Sequence, residues 1–156
     1  MDSTDLLFSF LIGVFAGLRS LTVPAVTAWA VRLGRLRIDR PLSLIGSAPA
    51  VAIFTVLAIL ELVADKLPNT PSRTAPPGLI ARIVTGGLTG ACVAAGAAQR
   101  PVIGGVLGAV GGVVGCFGGY QVRTRLVKAL GTRDTNVALA EDLVAIAGPV
   151  WILFFR

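Results

Sequence analysis

The chain has 156 residues, of which 54% are hydrophobic and only 14% are charged. Because soluble domains carry about 25% charged residues, this composition excludes an ordinary soluble protein and favours an integral membrane protein. The net charge is +6 and there is no histidine, so the commonest metal ligand is missing. The basic residues lie in short loops between apolar runs, which is typical of membrane topology and anionic lipid contact rather than of nucleic-acid binding.

The apolar runs predict a single all-α domain over residues 1–156, with about five transmembrane helices. The first predicted span, Leu6 to about Val31, carries Arg19 near its middle. Pro24 disfavours helix just before it, so we expect a kink or break near residues 20–23, beyond Gly17. An arginine at this depth is costly and should face protein or water, unless it snorkels to an interface.

The second predicted span, Pro41–Leu67, follows the basic loop Arg32–Arg40 and ends in a polar stretch. In that stretch Glu61 and Asp65 are four residues apart, so on a helix they share one face. Two carboxylates on one face of a membrane segment need partners or a wet cavity. We therefore interpret the following residues as candidates for substrate or ion binding: Arg19, Ser20, Glu61, Asp65, Lys66 and Asn69.

The third and fourth predicted spans are rich in glycine. They run from about Leu79 to Ala98 and from Val102 to about Val122, after a stiff proline-rich loop at Asn69–Gly78. Small residues at every fourth position let helix backbones approach closely in lipid. The spacing does not distinguish packing within one chain from a homodimer face. It predicts close packing at Gly86, Gly90, Gly104, Gly108, Gly112, Gly115 and Gly119.

A basic stretch, Gln121–Arg133, precedes the fifth predicted span, which begins near Asn136 and ends at Phe155. Charged residues within or beside the last three spans complete the candidate binding set: Arg82, Arg123, Glu141 and Asp142. The loop Arg32–Arg40 is short and dense in arginine, which favours a cytoplasmic position, and the near balance of basic residues between the two sides leaves dual insertion as the alternative. These features predict a multi-pass protein of the inner (plasma) membrane.

The chain also contains a candidate internal repeat. Residues 13–17 (GVFAG) resemble residues 115–119 (GCFGG), and in this register Arg19 falls on Gln121. Residues 61–64 (ELVA) resemble residues 142–145 (DLVA). Three spans separate the starts of the two copies, so they would cross the membrane in opposite directions around the glycine-rich third span. Interrupted helices in such inverted repeats expose backbone groups to a substrate, which makes Gln121 a weaker candidate beside Arg19.

Several of these features resemble the small bacterial membrane family called domain of unknown function 4126. They are the segment Gly17-Leu-Arg19, the pattern Glu61-x-x-x-Asp65-Lys66-x-Pro68, the two glycine-rich spans and the pair Glu141-Asp142. The resemblance covers nearly the whole chain. It implies a compact polytopic bacterial membrane protein, and it implies no activity or ligand.

The hypothesis that we favour is a small transporter or channel for an ion or small charged solute, with a polar midplane site and no enzymatic activity. A first alternative is a structural or partner-binding membrane protein that packs through its glycine ridges, with the buried charges as structural ion pairs. A less favoured alternative is a membrane-embedded enzyme acting on lipid phosphate. We expect membrane lipid and a small charged solute as partners, no nucleic acid, and no cofactor or metal.

Overall fold

The computed structural model describes residues 3–65, 75–131 and 134–155, and within these ranges every regular element is helical. The predicted all-α class is therefore confirmed for the part of the chain that the structure describes. A short 3-10 helix, Leu42–Gly46, precedes the third α-helix. The α-helices are α1 (Ser3–Leu18), α2 (Thr22–Arg32), α3 (Ala48–Ala64), α4 (Pro76–Gly96), α5 (Pro101–Leu130) and α6 (Asp134–Phe154).

Three of the described helices, α4, α5 and α6, are long and apolar enough to cross a membrane, and α1 and α3 are shorter apolar helices. Large apolar side chains lie on the outside of the bundle, whereas a charged side chain lies inside. Leu143 is 69% exposed and Arg19 only 1%. This distribution is the reverse of that in soluble proteins and fits a multi-pass membrane protein.

The first predicted span is not one crossing but two helices that fold back on each other. α1 ends at Leu18 and α2 begins at Thr22, so the expected break falls at residues 19–21. Pro24 lies in the first turn of α2, where its missing N–H removes no helical hydrogen bond. The predicted break is confirmed, but the predicted crossing, and with it the count of about five spans, needs correction.

The outer ends of α1 and α2 lie at the same end of the bundle. Phe8 of α1 packs against Trp151, near the end of α6, with ring centroids 6.2 Å apart. Leu36, just after α2, packs against Gly96 and lines a cavity with Leu153. The two helices therefore form a helical hairpin that enters the bundle from one end. We call its turn, Arg19–Leu21, the hairpin tip.

Glycines of α1, α4 and α5 lie where these helices cross. A Cβ added at Gly86 would lie 2.6 Å from the carbonyl oxygen of Gly108, and one at Gly17 would lie 2.5 Å from that of Gly112. The helices thus meet backbone to backbone, where no side chain fits. Gly90, Gly104 and Gly115 also meet backbone atoms of a neighbouring helix, whereas the packing of Gly119 stays a prediction.

The direction of α1 contradicts the predicted inverted repeat. Gly13 faces Gly108 and Gly17 faces Gly112, so α1 and α5 run in the same direction, whereas an inverted repeat requires opposite directions. α5 is also continuous through its Gly118–Gln121 segment, so the break in the first span has no counterpart there. Gly17 and Gly115 face each other at the crossing of these two helices.

Three predicted helix boundaries also need correction. α3 begins at Ala48, after the 3-10 helix, rather than at Pro41. α4 begins at Pro76 rather than Leu79, because proline is well suited to the first helical position. α5 continues to Leu130 rather than ending near Val122, since the basic residues that follow are good helix formers. It ends where Gly131 adopts the left-handed conformation, with φ at 57°.

Candidate functional site

The hairpin tip brings a helix N-terminus into the bundle, and Glu61 of α3 caps it. Its Oε1 accepts hydrogen bonds from the backbone N of Ser20 at 2.8 Å and from the Ser20 hydroxyl at 2.6 Å. Its Oε2 accepts one from the backbone N of Leu21 at 2.9 Å. The first N–H groups of a helix lack internal partners, and the positive end of the helix dipole attracts a carboxylate. Glu61, which lies on another helix, provides both the hydrogen-bond acceptors and the negative charge.

A positive charge lies at the C-terminal end of α1, whereas a negative charge lies at the N-terminal end of α2. The buried Arg82 of α4 donates from Nε to the carbonyl oxygen of Gly17 at 3.0 Å, and from Nη1 to that of Gly78 at 2.9 Å. A guanidinium satisfies the free carbonyl groups and the negative dipole of a helix end. Each half of the hairpin therefore has a charge of the appropriate sign at its inner end.

Arg19 joins the tip to two further helices. Its Nη2 lies 2.9 Å from Oδ2 of Asp65, which caps α3, and also forms an ion pair with Oδ1 of Asp142 in α6. A buried charge is tolerated only when it is paired and hydrogen-bonded. The arrangement explains how an arginine that is 1% exposed can lie inside an apolar bundle.

Asp65 also contacts a second arginine, Arg123 of α5. Nη1 of Arg123 lies 3.5 Å from Asp65 and 3.5 Å from Glu141. Its Nε and Nη2 donate to the two carboxylate oxygens of Asp134 at 2.8 and 2.6 Å, a bidentate geometry. We call the resulting series of alternating charges the charged chain: Asp142, Arg19, Asp65, Arg123 and Asp134.

The charged chain leads from the interior to the surface of the bundle. Asp142 is buried, whereas the Asp134 side chain is 62% exposed. The two residues are eight positions apart on α6, which corresponds to about 12 Å along a helix axis. The charged chain therefore connects the hairpin tip with the end of the bundle that lies opposite to the end where the hairpin enters.

Two buried polar atoms at the tip lack a hydrogen-bond partner among the described residues. They are Nε of Arg19 and the hydroxyl oxygen of Thr22, the first residue of α2. More than about 90% of buried polar groups in proteins have a partner. These atoms are therefore the part of the tip with free hydrogen-bonding capacity.

Most of the predicted binding residues come together at this site. The contacts above include Arg19, Ser20, Glu61, Asp65, Arg82, Arg123, Glu141 and Asp142. Gln121 is an exposed residue of α5. Lys66 and Asn69 lie outside the described residues.

Sequence reasoning missed Asp134 and Thr22. Asp134 lies eleven positions after Arg123, but the two meet only because α5 extends further than expected and α6 reverses direction. Thr22 carried no signal beyond its nearness to Pro24. Within the described residues, no group of three or more histidine, cysteine or carboxylate side chains is placed to hold a metal ion.

A family model described as Domain of unknown function (DUF4126) matches residues 6–155. The matched range contains the hairpin tip and the whole charged chain. No curated protein and no solved structure matches the chain significantly.

Proposed function

The chain belongs to the DUF4126 family, and we propose that it is a small transporter or channel that moves protons or a cation past the hairpin tip. One observation carries the proposal. Arg19, buried at the turn of a helical hairpin, is shared by Asp65 and Asp142 from two other helices. Ionisable residues inside membrane proteins are costly, and they typically mark ion pathways or proton relays.

The carboxylates of the site favour protons or a cation as the solute. Carboxylates inside a membrane protein can carry protons or bind a cation. Those of this site lie at the tip or beside the arginines of the charged chain: Glu61, Asp65, Asp134, Glu141 and Asp142.

The free hydrogen-bonding capacity at the tip supports a path rather than a sealed core. Nε of Arg19 and the hydroxyl group of Thr22 can contact water or a polar solute. The charged chain extends from there to the exposed Asp134. One end of the proposed path is thus the tip, and the other end is the bundle surface at Asp134. We assign the protein to the inner (plasma) membrane of the cell.

Flux through purified protein in liposomes tests the proposal. An imposed pH gradient is followed with an entrapped pH-sensitive dye, and Na⁺ and K⁺ gradients are imposed in parallel. The wild type should dissipate at least one of these gradients, and Asp65→Asn should lower the rate about tenfold or more, since it removes the charge shared by two arginines. Asp39→Asn, at an exposed loop carboxylate, is the matched control and should retain the wild-type rate. Absence of flux of protons and of both cations would contradict the proposal.

A structural role is the second candidate, and the pairing itself favours it. Both inner helix ends and Arg19 already have partners within the chain, as expected for ion pairs that hold the hairpin in place. If the ion pairs are only structural, variants of these residues that keep the stability of the wild type should also keep its liposome flux. The packed glycines at the crossings face helices of the same chain. A homodimer through other surfaces stays a prediction.

A further inference from the structure

The basic loop, Arg32–Arg40, lies at the end of the bundle where the hairpin enters, and it is held there by apolar side chains. Leu36 and Ile38 are partly buried and pack against the core, whereas the alternating residues Arg35 and Arg37 are exposed. Because the apolar side chains fix the backbone of the loop on the bundle, its arginines are presented to the surroundings from defined positions.

The charges of this loop are not paired within the protein. Its four arginines, Arg32, Arg35, Arg37 and Arg40, are exposed. Within the part of the chain that the structure describes, none of their side chains forms an ion pair or a hydrogen bond, and neither does that of Asp39, the one carboxylate of the loop. The arginines of the charged chain, in contrast, all contact carboxylates. The basic loop is therefore a surface of net positive charge without an internal counter-ion.

Two of these arginines line a cavity between the end of α2 and the start of α3. The cavity has a volume of about 550 Å³, and Arg32 and Arg40 are its only charged lining residues. Ser43 and Ser47 also line it, and their hydroxyl groups can donate hydrogen bonds. Guanidinium groups bind phosphate oxygens through strong, often bidentate hydrogen bonds. The polar part of the cavity is therefore suited to a phosphate group.

The same end of the bundle has the features of a membrane interface. Both tryptophans of the chain lie there and are exposed: Trp29 is one turn before the end of α2, and Trp151 packs against Phe8. Tryptophan is enriched at the level of the lipid head groups. Two exposed apolar side chains, Leu33 and Leu44, line the cavity beside its arginines. The cavity therefore lies where polar head groups meet acyl chains.

We propose that this cavity binds an anionic phospholipid, with the phosphate group between Arg32 and Arg40 and the acyl chains along α3. The helix α3 begins directly after Ser47, and its residues Ile53 and Leu60 are exposed two turns apart on one face. Basic pockets at membrane surfaces are known to bind the head groups of anionic lipids. The inference goes beyond the proposed transport, because the cavity shares no residue with the hairpin tip or the charged chain.

Isothermal titration calorimetry of the full chain in detergent micelles tests the inference, with dioleoylphosphatidylglycerol as the ligand and protein-free micelles as the blank. The wild type should bind this lipid saturably, and Arg32→Gln/Arg40→Gln should weaken binding about tenfold or more. Arg125→Gln/Lys128→Gln, at two exposed positions near the end of α5, removes the same charge and is the matched control. It should bind as the wild type does. Equal weakening in the two double variants would overturn the site, because the overall charge of the protein would then explain the binding.

Two further ligands separate an anionic lipid from other phosphate compounds. Dioleoylphosphatidylcholine has the same acyl chains but no net charge, and inorganic phosphate has the charge but no acyl chains. Each should bind about tenfold or more weakly than dioleoylphosphatidylglycerol. Binding of the uncharged lipid as tight as that of the anionic lipid would overturn the role of the arginines. Equally tight binding of inorganic phosphate would overturn the lipid as the ligand.

Ser43→Glu tests the location while both arginines stay in place. The new carboxylate would lie in the cavity and repel the phosphate group, so binding of the anionic lipid should weaken about tenfold or more. Unchanged binding would place the lipid elsewhere on the protein. If Arg32→Gln/Arg40→Gln does not fold, the comparison of Ser43→Glu with the wild type decides the inference.

Discussion

The hairpin tip and the crossing of α1, α4 and α5 are two neighbouring regions that hold helices together by different means. At the tip, helix ends and buried side chains are joined by charges of opposite sign. At the crossing, Gly86, Gly108 and Gly112 bring helix backbones into direct contact. The tip depends on the charges of its side chains, and the crossing depends on the absence of side chains.

The difference follows from the lipid environment. Lipid tails are as apolar as leucine, so no hydrophobic force drives helices together, and close packing and polar contacts must do so. Close packing tolerates no added volume, and buried ion pairs tolerate no unpaired charge. Removal of one charge should therefore destabilise the tip, and added volume should destabilise the crossing.

Loss of Arg19 should have the largest effect. Arg19→Ala leaves Asp65 and Asp142 without their shared partner at the tip, and breaking a buried pair in this way typically costs about 3–5 kcal/mol. We expect a matching fall in the free energy of unfolding, measured by denaturant titration in detergent micelles. Arg37→Ala, in the exposed loop after α2, is the control and should leave that free energy unchanged. A stable Arg19→Ala protein would mean that the tip does not hold the hairpin.

The double variant Arg19→Met/Asp142→Leu separates the structural and transport hypotheses. It removes both members of one buried pair and leaves Asp65 in contact with Arg123, so most of the stability lost in Arg19→Ala should return. Liposome flux should be lost in the double variant if the pair lies on a solute path. Flux at the wild-type rate in this variant would show that the pair is only structural.

Added volume at the crossing should have the next largest effect. Gly86→Ala places a Cβ 2.6 Å from the Gly108 carbonyl oxygen, and backbone atoms must move to accommodate it. Overpacking of this kind costs about 1–3 kcal/mol. The adjacent Gly87→Ala is the matched control, because its Cβ would lie 3.4 Å from its nearest neighbour and the helix propensity gained is the same. Equal stabilities of the two variants, measured by thermal unfolding in detergent, would be evidence against backbone contact.

Removal of the charge of Glu61 should have a smaller effect on the tip. In Glu61→Gln one oxygen can still accept a hydrogen bond, but the amide group cannot accept from the second backbone N–H at the start of α2. Loss of a helix cap typically costs about 0.5–2 kcal/mol. Unfolding measurements should therefore place Glu61→Gln between Arg19→Ala and the wild type. A loss as large as that of Arg19→Ala would indicate that Glu61 also balances the charge of the whole cluster.

Asp134→Asn should have the smallest effect. The Asp134 side chain is 62% exposed, and exposed ion pairs contribute about 0–1 kcal/mol. The small difference from the wild type should disappear at 1 M salt, where the screening length is about 3 Å. A difference that persists at high salt would place Asp134 in surroundings less polar than its exposure indicates.

The predicted candidates for the tip were recognised because charge is conspicuous in an apolar chain. The similar segments at residues 61–64 and 142–145 marked Glu61 and Asp142, which contact neighbouring residues of the tip, Ser20 and Arg19. The repeat inferred from the same comparison was wrong for α1 and α5, because glycine spacing is the same whether two helices run parallel or antiparallel.

The sequence by itself determined the all-α class, the break before Pro24, the buried charges and the glycines of the helix crossings. Each of these follows from hydropathy, proline geometry or side-chain volume, which are properties of single residues and their near neighbours. Only the tertiary structure decided that the chain turns back at Arg19–Leu21, and that Glu61 of another helix occupies the N-terminal end of α2. Proline shows where a helix stops, but the direction taken afterwards depends on long-range contacts with α3, α4 and α6.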